Sequence, residues 1–273
     1  MRCHDGEVDD QTVDAPPAPV TARRRPLLDQ AVLDRMWDFS DPSATADRFR
    51  AASVDESAPM GVRAVMATQL ARALGLLGSG EEANRILDVV ETELEESDAE
   101  LRARVAIERG RLIAAGPAPA AAVPGLTLGV REAARAGSAF LVLDALHLLA
   151  LHDAGHEEEW AAEGLDVLDG QRDPRVLRWG IALHHNLGWT KHDQGRVEAA
   201  LAEFERAVEI ADQHGSAEQR QVTRWSVARC LRTLGRTEEA LALQRTLVEL
   251  RPDDAYVLAE IEALTAVAPT IEA

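Results

Sequence analysis

Few cysteines, a single lysine and no long apolar run mark this chain by what it lacks. Its two cysteines are Cys3, in a polar terminal stretch, and Cys230, inside a helical pattern. A disulfide framework is therefore not expected, and a reducing cytoplasm fits. No apolar stretch approaches the roughly 20 residues that a membrane-spanning helix needs. The first residues carry Asp5, Glu7, Asp9 and Asp10 in place of the apolar centre of a secretion signal. Positive charge is in deficit, with a formal net charge of −18. That opposes a whole-surface footprint for nucleic acid or for an anionic membrane. The one dense basic cluster, Arg23-Arg24-Arg25, reads as a solvated tail. Period-two alternation of β-branched residues is almost absent, so no sheet is expected. Neither Gly-x-Ser-x-Gly nor the phosphate-loop pattern Gly-x-x-x-x-Gly-Lys occurs, and no catalytic residue or cofactor is assigned.

What is present is small and aliphatic. Hydrophobic residues make up 46% and aromatics only 4%, with alanine and leucine carrying the apolar content. A small-residue pattern recurs in the second half. One copy runs Asn186-Leu187-Gly188-Trp189, then Gly195, Ala200, Phe204 and Ala207; the next runs Ala228, Gly235, Ala240 and Pro252. In each, the small residue stands seven positions before the glycine and an alanine five after it. Closely packed antiparallel helices need small residues where their axes approach and a glycine where the chain reverses. Earlier copies carry Ala71, Gly78 and Ala83, then Gly110 with a turn near Gly116-Pro117. Ala71 to Gly110 is 39 residues, Gly188 to Ala228 is 40, and Gly110 to Gly188 is 78. The doubled interval places a further copy near residue 149, with helices over about 139–151 and 157–168. A fixed period of this kind is the mark of a helical solenoid.

These positions resemble the tetratricopeptide repeat over about residues 60–252. With its Trp37-Asp38-Phe39 and Gly188-Trp189-Thr190 segments, the whole chain also resembles bacterial repeat proteins of unassigned function. The expected fold is an all-α solenoid of about five antiparallel helix pairs. Residues 1–26 are read as a disordered tail and 27–58 as an N-terminal helical cap, in which Asp41-Pro42 opens a second helix. Residues 59–252 form the repeat array, and 253–273 a closing helix and tail built on Val257, Leu258, Ile261 and Leu264.

The resemblance implies that the first (A) helix of each pair lines a concave groove and the second (B) forms the convex back. Charge divides along the same line. The A segments 64–77, 101–115, 139–152, 175–193 and 218–234 hold twelve Arg or Lys against four Asp or Glu. The B segments 81–96, 119–136, 157–169, 197–213 and 237–251 hold six against twenty-two. The expected function is a non-catalytic scaffold or adaptor whose groove binds a protein or peptide, favouring an acidic segment or other anion. An enzyme built on a His/Trp/Arg-lined groove and a self-assembling homo-oligomer are the alternatives.

The candidate groove residues are His185, Asn186, Trp189 and His192, with Trp225, Arg229 and Arg232 from the next copy. Positions 185, 189 and 192 share one helical face. The resemblance places them, and their counterparts at 225, 229 and 232, toward the groove. Trp and Arg carry much of the binding energy at interfaces. Asn186, Arg229 and Arg232 partly resemble a carboxylate-gripping set, but Ala182 and Val222 do not. Metal binding is not assigned. His185 and His192 stand about 10.5 Å apart along a helix axis, too far for one zinc ion, and Gly155 is expected to break the helix between His152 and His156. Cys230 is read as packing.

Overall fold

A computed structural model describes residues 26–95 and 97–266; the expected tail over 1–26 lies, apart from Pro26, outside the described residues. Among the described residues there is no strand. Two short helices come first, α1 (Gln30–Met36) and α2 (Pro42–Ser53). The Asp41 carboxylate accepts from the Ala44 amide at 2.9 Å with Pro42 in the first turn, as the Asp-Pro pair predicts.

Five antiparallel pairs follow. They are α3 (Met60–Leu76) with α4 (Gly80–Thr92), and α5 (Ala99–Ala114) with α6 (Val123–Ala136). The third pair is α7 (Ala139–His152) with α8 (Glu157–Leu168). The fourth is α9 (Pro174–Leu177) and α10 (Trp179–Asp193) with α11 (Val197–His214). The fifth is α12 (Ala217–Thr233) with α13 (Thr237–Leu250), and α14 (Ala255–Ala266) packs against both. The helix expected over 175–193 is interrupted for one residue, Arg178, whose backbone stays right-handed.

The predicted loop glycines close the pairs in one way. Gly195 and Gly235 have φ of 75° and 73°. In each case the next residue donates its amide five positions back, Arg196 to Lys191 and Arg236 to Leu231. That is the Schellman arrangement, which needs a left-handed residue at its centre. The small positions are equally specific. A Cβ on Gly188 would lie 2.5 Å from the buried Phe204 ring, and one on Gly110 would lie 2.4 Å from Leu126. At residue 149 the period holds without a small residue: Leu149 is fully buried.

Apolar burial is spread along the stack, in clusters that run from α1 to α5, from α5 to α8, and from α10 to α14. α2 packs on α3 and α1 on α2, while side chains and backbone of the N-terminal segment reach individual A-helix residues. Asp34 on α1 pairs with Arg175 at 3.2 Å, 141 residues away. Trp37 Nε1 donates to Gln69 at 2.9 Å, and the Leu27 amide donates to Glu100 at 2.9 Å.

Candidate functional site in the concave groove

The inner face of the stack encloses a cavity of about 580 Å³. α3 lends it Gln69 and Arg72, α7 Phe140, and the α9–α10 run Arg178, Trp179 and Ala182. The start of α12 adds Ser216, Glu218 and Gln219, and the N-terminal segment adds Gln30, Asp34, Trp37 and Phe39. No B helix reaches it among the described residues. The A helices therefore line the groove, and their charge sets its character.

The candidate residues of α10 and α12 are brought together, but mostly onto one another. His185 Nε2 accepts from Trp189 Nε1 at 3.2 Å and lies 2.9 Å from Ser226 Oγ. Burial lowers the His185 pKa, keeping the ring neutral and able to accept. His192 Nε2 lies 3.0 Å from Thr233 Oγ1. The two histidines thus tie α10 to α12 at equal spacing, 41 residues on. Trp189 packs against His192, Phe204 and Trp225, with ring centroids 5.3, 5.0 and 6.1 Å away. Asn186 faces back, within 3.1 Å of His147 Nδ1 on α7. His147 meets Asn186 and Trp179, not His185.

Both candidate arginines are already paired. Glu260 on α14, 7% exposed, takes Arg232 through two bonds of 2.8 and 3.1 Å and Arg229 at 3.2 Å. This carboxylate from the closing helix occupies the place where an acidic ligand would otherwise meet those side chains. The single lysine is engaged as well, since Lys191 and His184 share Glu203 at 2.7 Å each. Cys230 is fully buried, its thiol pushed up to about 11 by burial, and it is a packing residue.

Between α3, α5 and α7 lies a second charged group. Arg111 reaches Asp144 and lies 3.2 Å from Glu108, both carboxylates being nearly fully buried. Burial alone would raise the Asp144 pKa, but Arg111 and Arg72 hold it below the ordinary range. Glu108 is raised by its burial. His147 is driven down to about 4 by burial.

Arg72 stands apart. Its guanidinium carbon lies 5.3 Å from the Trp37 ring and 5.8 Å from the Phe39 ring, which stack on each other at 4.8 Å. None of its N–H groups finds an acceptor among the described residues, and the same holds for Arg178. Trp179 Nε1 is buried without an acceptor among them, its ring edge-on to Phe140 at 5.6 Å. A second large cavity, at the α12–α13 edge, also bears arginines, but Arg220 donates to the Gly215 carbonyl and Arg224 pairs with Asp212. Among the described residues, no three His, Cys, Asp or Glu side chains converge as a metal site would require.

Sequence reasoning missed Arg72, Arg178 and Trp179. Arg72 follows Ala71 as Arg229 follows Ala228, so the register used for the last two copies, carried to the first, would have found it. Arg178 and Trp179 precede the first position of that register, in the extra length of the fourth A helix.

Fold and groove together define a solenoid of helical hairpins with an inward-facing site. Residues 180–253, which span α10 to α13, match the family model described as the tetratricopeptide repeat. Over that stretch the chain carries tetratricopeptide repeats. It is similar to the crystal structure of BtubC (BKLC) from P. vanneervenii, with a TM-score of 0.57 and 16% identity over 90% of this chain and 96% of that one. That likeness concerns the fold. No curated protein matches the chain.

Proposed function

We propose that this protein is a non-catalytic scaffold that holds an acidic segment of another protein along its A-helix groove. The observation that carries this reading is a pair of arginines, Arg72 and Arg178, that form no hydrogen bond or close ion pair among the described residues, in a cavity lined there only by A helices and the N-terminal segment. The chain's own Asp34, seated on Arg175 against that face, displays the same chemistry. Low-dielectric walls focus the field of such cations, so local charge outweighs the net charge of −18 at contact distance. Nothing in this chemistry favours nucleic acid, and no helix among the described residues is long and apolar enough to cross a membrane. The sparse cysteines, with Cys230 buried, fit a cytoplasmic setting. His185, Trp189, His192 and Arg229, around which an enzyme could have been built, are engaged in holding repeats together.

Fluorescence anisotropy of a labelled Asp/Glu-rich peptide tests the reading. Binding is expected to weaken as salt rises, because exposed ion pairs are screened. A peptide with Asn and Gln in place of its acids should bind at least about tenfold more weakly, the loss expected of one charge-assisted hydrogen bond. Equal binding of the two peptides, or affinity indifferent to salt, would overturn it.

A further inference from the structure

The central cavity has a composition of its own. Of its four charged residues, Asp34 is already committed to Arg175 and to the Gln30 amide. That leaves two arginines against one carboxylate, Glu218, at the exposed start of α12. The ring of Trp179 belongs to the same wall, its indole N–H being buried without an acceptor among the described residues. The rest of the lining combines two aromatic pairs, the Trp37–Phe39 stack and the edge-on Phe140–Trp179 pair, with the neutral polar side chains of Gln30, Gln69, Ser216 and Gln219. At about 580 Å³ the space falls in the range of ligand pockets, roughly 300–1,000 Å³, and suits one ring system with its substituents.

We infer that this cavity binds a planar acidic group, a ring bearing a carboxylate, with the charge on Arg72 and Arg178 and the ring between the two aromatic walls. The inference rests on the groove reading above and sharpens it. Arg72, backed by the Trp37–Phe39 stack, is held flat, and a planar guanidinium presents its donors as a fork that matches a carboxylate. Such a group can arrive in two ways: as a free aromatic acid, or as an aspartate or glutamate beside an aromatic residue in a peptide.

Calorimetric titration of the full chain separates these. The probes are indole-3-acetate, its uncharged amide, acetate, and an acetylated Asp-Trp-Asp amide. Indole-3-acetate should bind at least about tenfold more tightly than the amide, and acetate should show no heat of binding in the same range. Arg72→Gln and Arg178→Gln should each weaken indole-3-acetate about tenfold or more. Each variant is checked for an unchanged helical spectrum and melting curve, and the two lie in different repeats, so one folding failure leaves the other informative. Equal affinity for acid and amide, or indifference to both arginine variants, would overturn the inference. Binding of indole-3-acetate with none of any acidic peptide would support the cavity and overturn the peptide-scaffold reading. Acidic-peptide binding insensitive to Arg72→Gln and Arg178→Gln would do the reverse.

Discussion

The two halves of the inner face use the same residue types to opposite ends. In the C-terminal half, arginine, histidine and tryptophan close on their neighbours: Arg229 and Arg232 on Glu260, His185 on Ser226, His192 on Thr233, Trp189 on Trp225. In the N-terminal half, Arg111 is locked among Glu108 and Asp144, while Arg72 on α3 rests on an aromatic platform at the cavity, within the field of the same carboxylates but hydrogen-bonded to neither. What separates a binding arginine from a structural one here is whether a carboxylate from the next helix reaches it. Residue type and register do not decide it.

The largest effect should come from the buried charges. Asp144→Asn strands Arg111 without the partner that faces it, and should cost about 3–5 kcal/mol, the range for breaking one side of a buried pair. Denaturant unfolding checks this, and an unchanged midpoint would show that the network contributes nothing. Next comes acid. His147 has its folded pKa pulled from 6.5 to about 4 by burial, so the unfolded chain takes up the proton first. Its stabilising contribution is full above about pH 6.5, falls as pH drops toward 4, and is lost below that, a change of about 1–3 kcal/mol. The slope should shrink in His147→Gln, measured as melting temperature against pH; an identical slope would remove His147 from the account.

Glu260→Gln attacks the comparison itself. It should cost about 1–2 kcal/mol, since its arginines are partly exposed, and it frees them for a ligand. The C-terminal half should then gain affinity for an acidic peptide; no gain would mean that pairing is not what separates the halves. The smallest change expected is a gain in stability. Gln244 on α13 is fully buried, and neither end of its amide finds a partner among the described residues. Gln244→Met should raise stability by about 1 kcal/mol, read in the melting temperature.

Much of the fold was legible because helical pairs repeat their constraints. Gly195 and Gly235 announce reversals, Gly188 and Gly110 mark close approaches, and the doubled interval located α7 and α8 although Leu149 replaces the small residue. The site was less legible. A register tells which side of a helix a residue occupies, and it set the candidate residues of α10 and α12 on a shared strip, where they meet one another. It does not tell what stands opposite. Glu260 is 28 residues beyond Arg232, on a helix whose apolar residues alone suggested its role. The seven-residue α1 carries too little periodicity to reveal that its Asp34 reaches Arg175, and with it the platform of Trp37 and Phe39 was missed.

The central claim, that ligands meet the A-helix groove and not the convex back, is tested most directly by the indole N–H signals of the five tryptophans in a ¹⁵N-labelled sample titrated with an acidic peptide. Trp37 and Trp179 line the cavity, whereas Trp160 lies on the B helix α8 with its N–H held by Asp153 at 2.8 Å. The Trp37 and Trp179 signals should move and saturate together while that of Trp160 stays in place. Movement of Trp160 alone would contradict the account.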